Sequence, residues 1–286
     1  MANKPLTVSI NDMVASGQVH LPVHPAVISK VGAILQQGVP ERAVLVELIS
    51  HDPVLTCNLF RAANSAFYQG LPKVLTVGEA ITRIGVPSTA QLIEGACRDG
   101  ELCPQGRLTP RYLAPLWQHS LGCALGAAWL ARRCGYHALA EQVHLSGLLH
   151  DIGKLFLLAV LEEVDTCDES GTVLSDTLIE EVLASMHVEL GLRLVAEWNL
   201  PDEFAAVVGR HHQTELDSQD AIVALVKLAN KGCRKVGLGW ETDPGLVLPT
   251  TAEAQFLGID EITLAAFEIM LEDRFQLAGD NFGANP

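Results

Sequence analysis

The chain lacks basic runs. Its 19 Lys and Arg stand against 34 Asp and Glu, for a formal charge of −15. That balance argues against a nucleic-acid backbone or an anionic membrane surface as the main partner. The seven cysteines, Cys57, Cys97, Cys103, Cys123, Cys134, Cys167 and Cys233, form no C-x-x-C pair. Their odd number and irregular spacing point to reduced thiols and small buried hydrophobes rather than a disulfide framework. The first residues, "MANKPLTVSINDMVASGQVHLP", lack the apolar centre of a signal peptide. The longest aliphatic-aromatic run, Leu155–Leu161, is far too short to cross a bilayer. A cytoplasmic setting is therefore expected, with no membrane partner. Strand-like alternation is scarce, and neither repeats nor low-complexity tracts occur.

What is present is helical periodicity, in a chain that is 49 % hydrophobic. Residues 25–35 place Val27, Val31, Ile34 and Leu35 on one face. Residues 40–50 open with Pro and Glu, and residues 51–67 open with Asp52 before Pro53, an N-cap followed by proline at the first helical position. Residues 76–85 form a short helix. Residues 98–115, "RDGELCPQGRLTPRYLAP", are rich in Gly, Pro and Arg and read as the connection between two helical lobes. Beyond it, residues 116–135, 138–164, 176–199, 201–213 and 219–237 read as helices. After a loop at 238–251, two further helices and a frayed tail, "DNFGANP", close the chain. The expected fold is all-α: an N-terminal lobe over 1–110, a second lobe over 111–237, and C-terminal helices over 238–286.

The segment "HLSGLLHDIGKLFLL" sets His150, Asp151 and Lys154 in one of the most apolar parts of the sequence. Burying such groups is costly unless they satisfy one another or hold a ligand. Lys154 follows His150 by four residues and Asp151 by three, so it shares their side of a helix. Gly153 leaves room for close approach by another group. For an isolated H-D dipeptide, a buried ion pair that merely staples helices is the favoured explanation. His51-Asp52 is the internal control, because Pro53 makes it a helix start. Further histidines strengthen the functional reading. His119 lies among Trp117, Leu121 and Leu125, and His187 precedes Glu189 and Gly191. Of His211-His212, one reads as a ligand and the other as a surface residue. His144 is turned away from His150 and reads as structural. Arg61 and Asn64, at the end of an amphipathic helix, read as joining the lobes.

The stretches "HDPVLTCNLFRAANSAFYQG", "VGEAITRIGV", "WQHSLGCALGAAWLA", "SGLLHDIGKL" and "EWNLPDEFAAVVGRHH" resemble the HDOD domain, from about His20 to Asn230. HDOD proteins are bacterial signalling modules related to HD-superfamily phosphohydrolases. The resemblance implies metal ligands at His119, His150 and Asp151, with Asn230 where catalytic relatives carry a last aspartate. His187, His211 and His212 match the additional histidines of the cyclic-di-GMP phosphodiesterase branch, whose GYP signature is missing. Two functions follow. One is a non-catalytic regulator or adaptor with a remnant metal pocket, acting on a signalling protein or a small-molecule or nucleotide ligand. The other is a phosphohydrolase of a nucleotide or cyclic dinucleotide that uses Fe, Mn, Mg or Zn, with Asp151 and Lys154 in catalysis. The resemblance implies the regulator more often than the enzyme.

Overall fold

The computed structural model describes residues 20–101, 103, 106–167, 174–217 and 221–282, together with Val8, Ile10 and Asp12. Residues 283–286 of the expected frayed tail lie outside the described residues. Among the described residues there is no strand. The N-terminal helices are α1 (Pro25–Leu35), α2 (Arg42–Ser50), α3 (Pro53–Ala63), α4 (Val77–Ile84) and α5 (Val86–Glu101). Then come α6 (Ala114–Arg133), α7 (Ala140–Leu149), α8 (Ile152–Cys167), α9 (Asp176–Glu197), α10 (Asp202–Arg210) and α11 (Ala221–Lys235). The C-terminal helices are α12 (Ala252–Leu257) and α13 (Glu261–Phe282).

Local chemistry accounts for several boundaries. Asp52 caps α3, its carboxylate accepting from the N–H groups of Val54 and Leu55, both at 2.9 Å. Thr76 and Glu79 form a reciprocal capping box at the start of α4. Helix α3 stops at Ala63, four residues before its expected end. Asn64 leaves helical geometry there, and Ala66–Tyr68 forms a separate short turn.

Two expectations need correction. The connection at 98–115 is shorter than its composition suggests. Helix α5 continues to Glu101, and a wide helical turn at Thr109–Leu113 leads directly into α6. Pro110 and Pro115 sit in the first turns of these elements, where a missing N–H costs nothing. The helix expected over 138–164 is two helices, with the break at His150–Asp151. There the His150 ring donates to the carbonyl of Gly147 at 2.7 Å, and the backbone ladder resumes when the Lys154 N–H donates to the carbonyl of Asp151. The apolar periodicity runs through the break, so the sequence gives no sign of it.

Two apolar cores result. One gathers α1–α5, the start of α6, the end of α7, and α8–α10, around Phe60, Tyr112 and Phe204. The other gathers the rest of α6 and α7 with α11–α13 around Phe267. They meet along α6 and α7. The stretch His137–Thr166, which holds α7 and most of α8, is long and apolar enough to span a bilayer by composition, but 89 % of its most apolar window is buried inside the fold, as befits core segments.

Candidate metal centre

Six helices deliver their polar residues to the seam between the cores. His119 comes from α6, His150 and Asp151 from the α7–α8 break, and Lys154 from the first turn of α8. His187 lies on α9, His211 and His212 just beyond α10, and Asn230 on α11. Two glycines set how closely these helices approach. A Cβ on Gly153 would lie 1.9 Å from the His187 carbonyl oxygen and 2.9 Å from the Gly191 nitrogen, so α8 and α9 touch backbone to backbone. A Cβ on Gly147 would lie 2.9 Å from the Cys123 carbonyl oxygen, which brings α7 equally close to α6. Any side chain at either position would push the histidines apart.

Asp151 is the hub. Its Oδ2 lies 3.3 Å from His150 Nε2, 3.9 Å from His119 Nε2 and 3.0 Å from Lys154 Nζ. Its Oδ1 lies 3.4 Å from His211 Nε2 and 3.7 Å from His187 Nε2. His187 Nε2 is 2.9 Å from His212 Nε2. Asp151, His119, His150, His187 and His211 are buried, and His212 sits on the exposed rim.

The far side of each buried ring fixes its tautomer. Nδ1 of His119 faces the carbonyl of Leu238 at 3.1 Å, and that of His187 faces Leu183 at 2.7 Å. Nδ1 of His150 faces Gly147 at 2.7 Å, and that of His211 faces Val208 at 2.9 Å. A carbonyl only accepts, so each Nδ1 carries the proton and each Nε2 turns a lone pair toward Asp151. Burial, then the neighbouring His150, depresses His119 to about 3, and burial lowers His187 as well. His119 and His187 are therefore neutral near pH 7. Burial alone would raise the Asp151 carboxyl, but the Lys154 ammonium beside it outweighs burial and holds it well below the usual carboxylate range.

Lone pairs converging on one another are unfavourable without a cation between them. His150 Nε2, His211 Nε2 and Asp151 Oδ1 are buried and lack any hydrogen-bond partner. That combination fits a metal ion. Among the described residues two donor groups share Asp151: one with His187, His211 and His212, the other with His119 and His150. In the first, the 2.9 Å between His187 and His212 equals the separation of two nitrogens at right angles around an ion with bonds of roughly 2.0–2.1 Å. In the second, the Lys154 ammonium already occupies Asp151 Oδ2.

A loop covers this region. Lys154 reaches Glu241 at 3.4 Å and lies 5.3 Å from the centre of the Trp240 ring. The remaining cavity, about 20 Å³, is bounded by these residues with His119, Asp151, His212, Asn230 and Arg234. It has room for about one water-sized occupant. Asn230 thus borders the pocket. Trp240, Glu241 and Arg234 were missed by sequence reasoning. They lie in or beside a stretch that reads only as a Gly-Pro loop and its preceding helix end, and no motif marks them.

Other expected residues separate. His144 donates to or accepts from nothing in the pocket; its Nε2 bonds the Ser50 carbonyl at 2.8 Å and ties α7 to the end of α2. Asn64 joins the lobes: its carbonyl accepts from the Asn199 amide, and its Oδ1 accepts from the Val74 N–H at 3.0 Å. Arg61 does not share that role. It is exposed on a polar cleft of about 140 Å³ beside Asn58, Asp99 and Trp198, because its position on α3 faces outward where Leu59 and Phe60 face in.

The HDOD domain family model matches residues 21–214. An uncharacterized protein of Treponema pallidum (strain Nichols) is 24 % identical over 223 residues. The match covers 75 % of this chain but 42 % of that relative, so the chain spans less than half of its length. Among solved structures, the MmoQ response regulator of Methylococcus capsulatus str. Bath superposes with a TM-score of 0.68 at 23 % identity, covering 86 % of this chain and 97 % of that one. An HDOD domain protein of unknown function from Geobacter sulfurreducens gives 0.53 at 24 % identity, covering 97 % of each chain. At such identities the two structures speak for the fold alone.

Proposed function

The chain belongs to the HDOD domain family, and from that premise we propose that it is a signalling regulator whose pocket holds one divalent transition-metal ion without hydrolysing a phosphate ester. The ion belongs with Asp151 Oδ1, His187, His211 and His212. Three imidazoles and one carboxylate suit Fe²⁺, Mn²⁺ or Zn²⁺ better than Mg²⁺. One observation carries the reading. Asp151 is the sole carboxylate in either donor group among the described residues, and Lys154 holds one of its two oxygens at 3.0 Å. Within these donor groups a second divalent ion would have to share Asp151 with the first. The cavity of about 20 Å³ supports the same reading, since a nucleotide has no room under the Trp240–Glu241 loop. The ion would tie together α7, α8, α9 and the end of α10 at the seam of the two cores, where a signalling protein or small ligand senses its presence.

A phosphohydrolase remains the second reading, favoured by the second donor group, His119, His150 and Asp151, beside a lysine able to steady phosphate charge. Calorimetric titration with Mn²⁺, paired with a cyclic-di-GMP hydrolysis assay, separates the two. The regulator takes up one equivalent, loses it in His211→Ala and shows no turnover. Steady turnover that disappears in His150→Ala would establish the enzyme instead.

A further inference from the structure

Beside His119 lie two thiols that the pocket does not use. Cys123 is one turn along α6 from His119, and Cys233 comes from α11. Both are fully buried. The His119 Nε2 and the two sulfurs lie within 4.8 Å of one another, and Cys123 Sγ is 3.5 Å from His119 Nε2. We infer that His119, Cys123 and Cys233 form a second, thiolate metal site that takes a thiophilic divalent ion such as Zn²⁺ or Cd²⁺.

Three physical points carry this. The first is distance. Zinc bonds of about 2.3 Å to sulfur and 2.0–2.1 Å to nitrogen, at a tetrahedral angle, place the two donors about 3.6 Å apart. The observed 3.5 Å needs almost no rearrangement. The second is orientation. The Leu238 carbonyl holds the proton on His119 Nδ1, so Nε2 presents a lone pair toward both thiols and Asp151. The third is charge. Binding forms two metal–sulfur bonds and breaks two S–H bonds, releasing two protons to solvent. A divalent ion with two thiolates and a neutral imidazole is then neutral, which an apolar core tolerates. Soft sulfur donors select zinc and cadmium over manganese and magnesium.

The consequence is competition for one ring. His119 Nε2 is 3.9 Å from Asp151 Oδ2 and 3.5 Å from Cys123 Sγ, so a thiophilic ion bound with the two sulfurs takes the lone pair that the carboxylate pocket would use. Titrating the reduced, metal-free protein with Cd²⁺ tests the inference. A sulfur-to-cadmium charge-transfer absorption should rise and saturate at one equivalent, with two protons released. It should vanish in Cys123→Ala and in Cys233→Ala, each checked for its fold by circular dichroism, and persist in Asp151→Asn. If an alanine variant does not fold, the cadmium-113 spectrum of the unaltered protein decides, because its shift distinguishes two thiolates from none. No absorption in the folded protein, or absorption that survives both alanine substitutions, overturns the inference.

Discussion

Replacing Lys154 with methionine isolates the electrostatics of the pocket. Lys154 is 5 % exposed, and its ammonium is the only Lys or Arg cation within 4 Å of Asp151 among the described residues. Burial would lower its pKa, yet Asp151 and Glu241 hold it above the ordinary lysine value, so it is charged at every pH of interest. Removing one partner of a buried pair typically costs about 3–5 kcal/mol. Unfolding entropy of about 2.1 cal/mol/K per residue gives roughly 0.6 kcal/mol/K over 286 residues. The Tm in EDTA should therefore fall by about 5–8 °C. The same substitution frees Asp151 Oδ2 for an ion. A tenfold gain in affinity adds about 1.4 kcal/mol, or roughly 2 °C, to the rise that saturating Mn²⁺ produces. Thermal melts of both proteins, in EDTA and in Mn²⁺, read the two effects separately. An unchanged Tm in EDTA, or a Mn²⁺-induced rise no greater than in the unaltered protein, would refute the assignment of Lys154 as the resident counter-cation.

Further outcomes follow from single contacts. Asn230→Asp adds an anion beside the pocket and should tighten Mn²⁺ binding by on the order of 10–100-fold in calorimetry; equal affinities would mean that residue 230 does not act on the ion. Gly153→Ala drives a methyl into the backbone of α9 and should cost about 3 kcal/mol or more in urea unfolding, with loss of metal uptake; a stable, metal-binding variant would contradict the close crossing. Asn64→Ala leaves the buried Val74 N–H unpaired and should lower stability by roughly 1–3 kcal/mol while Mn²⁺ affinity stays unchanged. Stability should also fall on acidification. Burial, with a smaller contribution from Lys30, depresses His24 to about 4, so the unfolded chain takes up its proton first, near 6.5. Stability is thus complete above about 6.5 and is lost as pH falls toward about 4, after which this contribution is constant. His119, His144 and His187 act in the same direction. His24→Asn should therefore reduce the slope without abolishing it, and an unaltered slope would show that His24 does not contribute.

Helix positions were legible because apolar residues recur at helical spacing and the caps are explicit: Asp52 before Pro53, Thr76 with Glu79. The histidines were legible as candidates because imidazoles amid leucine and alanine demand a partner. Their convergence was not, since it depends on α8 crossing α9 at Gly153 and α6 crossing α7 at Gly147, contacts between segments far apart in the chain. The break at His150–Asp151 was hidden for a different reason. The His150 ring bonds the Gly147 carbonyl beside it, and no proline or apolar interruption marks it. Nor could spacing show that His211 and His212 both reach the donor group, His211 buried and His212 on its exposed rim. The turn after α10 places one ring at Asp151 and the other at His187, a tertiary arrangement that adjacency on a helix would forbid. Arg61 misled because a polar residue at a helix end suggests a bond to a neighbouring segment. Asn64 makes that bond, three residues on, while Arg61 faces solvent.

The most direct test of the metal assignment is anomalous diffraction from crystals soaked in Mn²⁺. The account predicts a single peak per chain among Asp151 Oδ1, His187, His211 and His212, with the Lys154 ammonium still beside Oδ2. Two peaks bridged by Asp151, with Lys154 displaced and His119 and His150 coordinating, would contradict it and support the hydrolase. No peak at any Mn²⁺ concentration would mean that the converging imidazoles hold no ion.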